Sequence, residues 1–309
     1  MTIMRSMLLA ASQNRWMREH ATHYKFVRRS VSRFMPGETL EDALAAARTL
    51  NAKNIGAVFT HLGENIADRA EAREVTSHYL EVLDRIHREG GQTEISIKLT
   101  QLGLDLSPEL CFENVKAIVE HASKDSIVWI DMEASSYVDA TLEIYRRALQ
   151  SYPNVGICLQ SYLRRTGDDV EKLLPLHPLI RLVKGAYNEP PEVAFPKKQE
   201  VDENYFVLAQ EILQAAADRR CDRAAFGTHD IRLIRRISEH CDQRGYGKSD
   251  LEIQMLYGIQ RQEQERLVQA GHRVVVLVAY GTYWYPWFVR RLAERPANLW
   301  FMLRNVFAG

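Results

Sequence analysis

Glu94-Ile-Ser-Ile-Lys-Leu99, then Pro108-Glu-Leu-Cys-Phe-Glu-Asn-Val-Lys-Ala-Ile-Val-Glu-His-Ala122, then Ile127-Val-Trp-Ile-Asp-Met132: over residues 94–132 a strand pattern gives way to apolar residues at helical spacing and returns to a strand. Working outward, the same alternation extends both ways. Short apolar, β-branched runs recur at 55–60, 94–99, 127–132, 155–160, 180–184, 223–228, 251–256 and 273–279. Helical spacing lies between them, as at 70–88, 205–217, 233–241 and 262–269. Parallel strands need crossover helices, and eight such units in this length predict a closed α/β (β/α)8 barrel of the TIM type. A doubly wound open sheet is the rival. No G-x-G-x-x-G or G-x-x-x-x-G-K-[ST] loop follows the first strand, so the phosphate cradle of that class is missing.

Residues 1–50 read as an N-terminal helical arm and 51–309 as the barrel. In the arm Thr39 precedes Glu41, Asp42 and an Ala-rich run, a helix-start signal. The chain of 309 residues carries 40 Lys+Arg against 40 Asp+Glu. That balance lacks the broad basic field of a nucleic-acid binder, so no nucleic acid is expected as partner. Cys111, Cys158, Cys221 and Cys241 form no C-x-x-C pair, which argues against a zinc framework or a disulfide scaffold and fits a reducing cytoplasm. The short apolar run at 7–11 is no signal-peptide core, and no stretch approaches the roughly 20 apolar residues of a membrane span.

In a barrel the chemistry projects from the carboxyl ends of the strands, so informative residues are those that break the apolar alternation late in a strand. On the second strand Ile95, Ile97 and Leu99 share one face and Glu94, Ser96 and Lys98 the other, aiming Lys98 into the mouth. A lysine there can also snorkel to solvent. The third strand ends in Asp131, the fourth in Gln160, the fifth contains Arg181 and ends at Lys184-Gly185-Ala186-Tyr187, and the sixth ends Gly227-Thr228-His229-Asp230. Each polar end has a structural reading as a cap or ion pair. Together they would surround one pocket. Gly185-Ala186 would admit a flat ligand close to the backbone, or form a simple tight turn.

The last helical pattern reads Trp284-Tyr-Pro-Trp287-Phe-Val-Arg290-Arg291-Leu-Ala-Glu294. Two adjacent arginines stand about 100° apart on a helix and can approach one anion from two sides, with Glu294 placed to orient either. An exposed charged helix face is the alternative.

Taken together, Ser96-Ile-Lys98-Leu, Trp129-Ile-Asp131-Met-Glu133, Leu159-Gln160-Ser-Tyr-Leu-Arg-Arg165, Arg181-Leu-Val-Lys-Gly-Ala-Tyr187, Gly227-Thr228-His229-Asp230 and the run from Trp284 to Asn298 resemble the proline dehydrogenase family, single-function bacterial type. The resemblance runs from about Pro36 to the C-terminus. It implies a (β/α)8 flavoenzyme that binds FAD and oxidises L-proline to Δ1-pyrroline-5-carboxylate by hydride transfer. By motif it assigns Lys98, Arg290 and Arg291 to the substrate carboxylate, with Glu294 holding the arginines. Tyr187 would pack beside the substrate ring and Asp131 would organise the polar pocket. Lys98, Asp131, Arg181 and Tyr187 form the expected catalytic set. Met132, Gln160, Arg181, Val183, Lys184, Gly185, Ala186, Thr228 and His229 would line the FAD.

The family's eighth strand usually carries a tyrosine thirteen residues before the first arginine, and here that position is Leu277. This departure implies tolerance of hydroxyproline or another proline derivative in the same C–N oxidation. A Schiff-base aldolase using Lys98 or Lys184 is a further reading of a barrel with lysines near strand ends. The resemblance also implies a quinone as electron acceptor and hence transient membrane contact by a cytoplasmic protein. Arg5, Arg15, Arg18, Lys25, Arg28, Arg29 and Arg33 against one acid, Glu19, could serve that contact, or pack on the barrel or a partner subunit.

Overall fold

The computed structural model describes residues 31–63, 66–122, 126–285 and 287–289. Eight parallel strands close in sequence order, β1 (Gly56–His61), β2 (Thr93–Ile97), β3 (Val128–Ile130), β4 (Val155–Gln160), β5 (Leu179–Val183), β6 (Arg223–Gly227), β7 (Glu252–Leu256) and β8 (Arg273–Tyr280). β8 pairs back onto β1, with Val58 opposite Leu277 and Thr60 opposite Ala279. The expected barrel is therefore the observed one.

Helices cover its outside: α1 (Leu40–Asn51), α2 (Arg69–Glu89), α3 (Pro108–His121), α4 (Val138–Leu149), α5 (Thr166–Leu173), α6 (Lys198–Ala217), α7 (Ile231–Arg244) and α8 (Arg261–Gln269). Their starts follow from local chemistry. Thr39 caps α1 in a reciprocal box with Asp42, Asp68 accepts the amides of Ala70 and Glu71, and Ser107 caps α3 ahead of Pro108. α1 crosses residue 50, the expected division between arm and barrel, and packs against β1 and β8. Its Ala43, Leu44, Ala46, Ala47 and Leu50 share the core between strands and helices.

Inside the barrel, Val58, Trp129, Leu179, Ala225 and Val275 form a separate apolar layer. Below it, at the amino ends of the strands, Arg223 pairs with Glu94 at 2.5 Å and Glu252 at 2.9 Å, and the Trp129 indole N–H donates to Glu94 at 2.8 Å. This ionic plug fills the amino end of the barrel, and the carboxyl ends of the strands lie on the opposite side. Trp129 fits only because β4 offers a glycine beside it: a Cβ at Gly156 would lie 2.6 Å from the indole. Gly156→Ala is expected to cost about 1–3 kcal/mol of stability through overpacking. Thermal denaturation checks it, and an unchanged midpoint would show that the barrel interior has slack.

Two strands, β2 and β3, end two residues earlier than the sequence pattern suggests, and β5 and β6 end one residue earlier. β2 stops at Ile97 because the chain turns into the 3-10 segment Leu99–Leu102, and β3 stops at Ile130, although the Asp131 amide still donates to the Ile97 carbonyl at 2.9 Å. α6 begins seven residues before the expected Tyr205, since its first turns are polar and carry no apolar period.

Candidate active site

Three strands deliver one charged cluster to the mouth. Lys98 leaves β2 with extended backbone (φ −111°, ψ 131°), which keeps its side chain on the inward face shared with Ser96. Its Nζ donates to Asp131 Oδ2 at 2.8 Å and to Thr60 Oγ1 at 3.3 Å. From β5, Arg181 Nη2 reaches Asp131 Oδ1 at 2.5 Å and Ser96 Oγ at 2.7 Å, and Ser96 Oγ also donates to Asp131 Oδ1 at 2.7 Å. Arg181 Nη1 meets Gln254 Oε1 of β7 at 3.4 Å. Asp131 is thus a carboxylate between two cations, with one net positive charge left over.

Burial opposes ionisation of all three groups, but mutual attraction prevails. Burial alone would push Asp131 up, yet Lys98 and Arg181 hold its carboxyl below the usual carboxylate range. Burial likewise works against charge on Lys98, and the Asp131 carboxylate overrides it, so the ammonium binds its proton more tightly than an ordinary lysine. Tyr187, half-buried on the loop after β5, adds in the same direction. A lysine held protonated is a poor Schiff-base nucleophile.

A second cluster lies beside the first. Lys184 Nζ sits 2.5 Å from Asp202 of α6 and 3.0 Å from Asp230, and Lys198 reaches both carboxylates. Burial would raise Asp230, but the two lysines bring it down to about 2. Lys184 is therefore balanced by acids, not a free cation. Thr228 Oγ1 accepts the Asp230 amide at 3.2 Å, and His229 Nε2 accepts the Leu256 amide at 2.8 Å, which assigns the ring proton to Nδ1. Gln160 Nε2 donates to the Met132 carbonyl at 3.1 Å, while its Oε1 is buried with no hydrogen-bond partner among the described residues. Gly185 takes φ +101°, and a Cβ there would lie 2.2 Å from the Tyr162 ring, so a side chain is excluded by the fold itself.

The sequence of this chain matches the family model for proline dehydrogenase over residues 43–304. The chain belongs to the proline dehydrogenase family. It is 37% identical over 305 residues to proline dehydrogenase 1 of Bacillus subtilis subsp. natto, covering 98% of this chain and 99% of that relative. It is 36% identical over 285 residues to proline dehydrogenase of Deinococcus radiodurans, covering 90% of each. Proline utilization A (PutA) from Bdellovibrio bacteriovorus, solved after inactivation by N-propargylglycine, shares the fold with TM-score 0.81 at 24% identity, over 94% of this chain and 36% of that one. Proline dehydrogenase membership makes the chain an oxidoreductase that acts on proline, in the first step of proline catabolism, and implies a flavin cofactor. The aldolase and altered-substrate readings are not favoured.

Among the residues the resemblance assigns to a proline dehydrogenase site, the fold brings Lys98, Asp131 and Arg181 into direct contact and links Met132 to Gln160. Lys184 reaches Asp230, the residue next to His229, and the tight turn of Gly185 follows it. Ala186 and Val183 are half-buried beside them. Leu277, half-buried on β8, lies two residues beyond the lumen-facing Val275 and so shares its inward face. Arg290, Arg291 and Glu294 fall outside the described residues. Ser96, Thr60, Gln254, Asp202 and Asp230 take part in the two clusters without having been singled out. Ser96 was accessible from the inward alternation of β2. Asp202 had no local signal, because it lies in the polar first turns of α6, where no apolar period marks the helix.

The residues present fit a flavin. Among the described residues Gln160 Oε1 has no donor, which the imide N–H of a flavin would supply, and the surplus positive charge of Lys98 and Arg181 suits the anionic edge of a reduced isoalloxazine or a substrate carboxylate.

Proposed function

We propose that the mouth of the barrel binds FAD and L-proline together and yields Δ1-pyrroline-5-carboxylate, with Lys98, Asp131, Arg181 and Tyr187 as its working residues. The observation that carries this reading is the Lys98–Asp131–Arg181 cluster, a fixed group with one surplus positive charge at the carboxyl ends of the strands. FAD, when bound, would supply the two-electron acceptor for oxidation of the substrate C–N bond, with the amine proton passing to solvent. Lys98, together with Arg290 and Arg291, holds the substrate carboxylate, and Glu294 steadies the arginine pair. Tyr187 packs against the substrate ring, and Leu277 closes the β8 side. Met132, Gln160, Arg181, Val183, Lys184, Gly185, Ala186, Thr228 and His229 line the cofactor.

Asp131 accepts from Lys98, Arg181 and Ser96 and is held below the ordinary carboxylate range, so it is a weak proton acceptor. Its part is to hold two cations at fixed positions. Anchoring of this kind is where the protein contributes most, since oriented reactants can lower a barrier by about 7–11 kcal/mol.

The pH behaviour follows from the signs of the shifts. Asp131, held low, keeps its contribution above the ordinary carboxylate range and loses it only as pH falls through the depressed value. Lys98, held high, keeps its contribution below the ordinary lysine range and loses it only as pH rises through the raised value. Between about pH 5 and 9 neither group titrates, so the rise of kcat/KM with pH should follow deprotonation of the substrate amine rather than of Asp131 or Lys98. A profile with an inflection that Lys98→Met abolishes would contradict this assignment.

Release of the cofactor by denaturation and its identification by mass tests the FAD assignment directly, and FMN or no flavin overturns it. The electron acceptor we propose is a membrane quinone, reached by transient contact of a cytoplasmic protein through its Arg-rich N-terminal residues. Among the described residues no helix is long and apolar enough to cross a membrane. Co-sedimentation with anionic liposomes at low but not high salt is the expected result, and no sedimentation at either salt removes the membrane contact.

A further inference from the structure

A second apolar core sits above β1 and β8, distinct from the core between strands and helices. Val31, Phe34 and Met35 enter it from the N-terminal side, Leu62 and Ala279 from the barrel, and Trp284, Tyr285, Trp287, Phe288 and Val289 from the far end of the chain. The Phe34 and Phe288 rings lie 6.0 Å apart, and those of Trp284 and Phe288 6.3 Å. A polar bond crosses this core: Trp284 Nε1 donates to Glu38 Oε1 at 2.9 Å.

Glu38 directly precedes Thr39, the cap of α1, and α1 is packed on β1 and β8. Its carboxylate is therefore held by a helix that is itself fixed to the barrel. The 31–35 stretch is pressed equally closely onto the loop after β7, where a Cβ at Gly258 (φ +77°) would lie 1.6 Å from the Arg33 carbonyl oxygen. Trp284, Tyr285, Trp287, Phe288 and Val289 have helical backbone, and the next residues in the sequence are Arg290 and Arg291.

We propose that Glu38 is a positioning residue for proline binding: through Trp284 it sets the place from which the chain continues into the arginine pair. This rests on the reading above that Arg290 and Arg291 hold the substrate carboxylate. The N-terminal segment thereby gains a part in substrate recognition. A carboxylate-containing substrate is sensitive to small displacements of its anchors, because geometry fixed to within about 1 Å governs the productive pose.

The test uses the full-length, flavin-loaded enzyme. Glu38→Ala removes the acceptor, Glu38→Gln loses the charge but keeps an acceptor oxygen, and Trp284→Phe removes the donor while retaining a ring. Glu38→Ala and Trp284→Phe are each expected to raise KM for proline about five- to tenfold, the size of one lost ordinary hydrogen bond, with kcat within about twofold. Glu38→Gln should restore most of the affinity, and the double variant should be no worse than either single one. A ring carboxylate that lacks the oxidisable amine, followed by its perturbation of the flavin spectrum, should weaken in parallel. If Arg290→Lys raises KM but Glu38→Ala leaves it within twofold, or lowers kcat and flavin content without moving KM, the inference is wrong while the site reading stands. If Arg290→Lys leaves KM unchanged, the reading of the arginine pair fails first, and the inference fails with it.

Discussion

Asp131→Ala is expected to lower kcat/KM for proline by at least about 100-fold and to lower stability as well. The carboxylate lies 2.8 Å from Lys98 Nζ and 2.5 Å from Arg181 Nη2, and its removal leaves two buried like charges facing each other with no anion between them. Breaking one partner out of a buried ionic group costs about 3–5 kcal/mol. If that loss falls on the transition state it corresponds to about two to three or more orders of magnitude in rate. The cations would also separate, displacing the surface on which the substrate carboxylate rests. Asp131→Asn, which keeps an acceptor oxygen but no charge, should fall between. Steady-state kinetics with thermal melts of both variants decide it, and an Asp131→Ala enzyme within tenfold of wild type would show that the carboxylate only fills space.

Lys98→Met is the second large effect, with a different signature. Asp131 keeps Arg181 and Ser96 as partners, so no unpaired carboxylate is created and the melting temperature should change little. What disappears is the ammonium that the substrate carboxylate meets at the end of β2. kcat/KM should fall by about two orders of magnitude, carried largely by KM, as for loss of a charge-assisted contact. Lys98→Arg should retain measurable turnover, because an anchoring cation can be replaced by another. A nucleophilic lysine cannot be so replaced. Complete inactivity of Lys98→Arg together with covalent trapping by borohydride would favour imine chemistry over this account.

Much of the barrel was legible from period-two runs separated by helical spacing, and Val155–Gln160 matches the expected strand residue for residue. The pattern overran at Lys98 and Asp131 because extended backbone and side-chain alternation persist past the last residue of each strand, and that overrun is what places both groups in the mouth. The start of α6 was missed for the opposite reason, since Lys198 and its neighbours face solvent and show no apolar period. Lys98 and Asp131 were readable as polar ends of apolar strands. The acids that neutralise Lys184 were not, because Asp202 and Asp230 converge on it from separate elements. The small residues tell a similar story. Gly185 reads as a turn or a ligand approach, whereas the fold shows a positive φ and the Tyr162 ring against it. Only tertiary packing reveals that Gly156 exists to admit Trp129.

The central claim is that the charged mouth holds a flavin and proline in reacting order. An absorbance spectrum of the purified protein, recorded without oxygen before and after addition of L-proline, tests it most directly. Oxidised flavin bands that bleach on addition of proline, and bleach far more slowly in Asp131→Ala, are the predicted result; a colourless protein, or flavin bands that proline leaves unchanged, would contradict it.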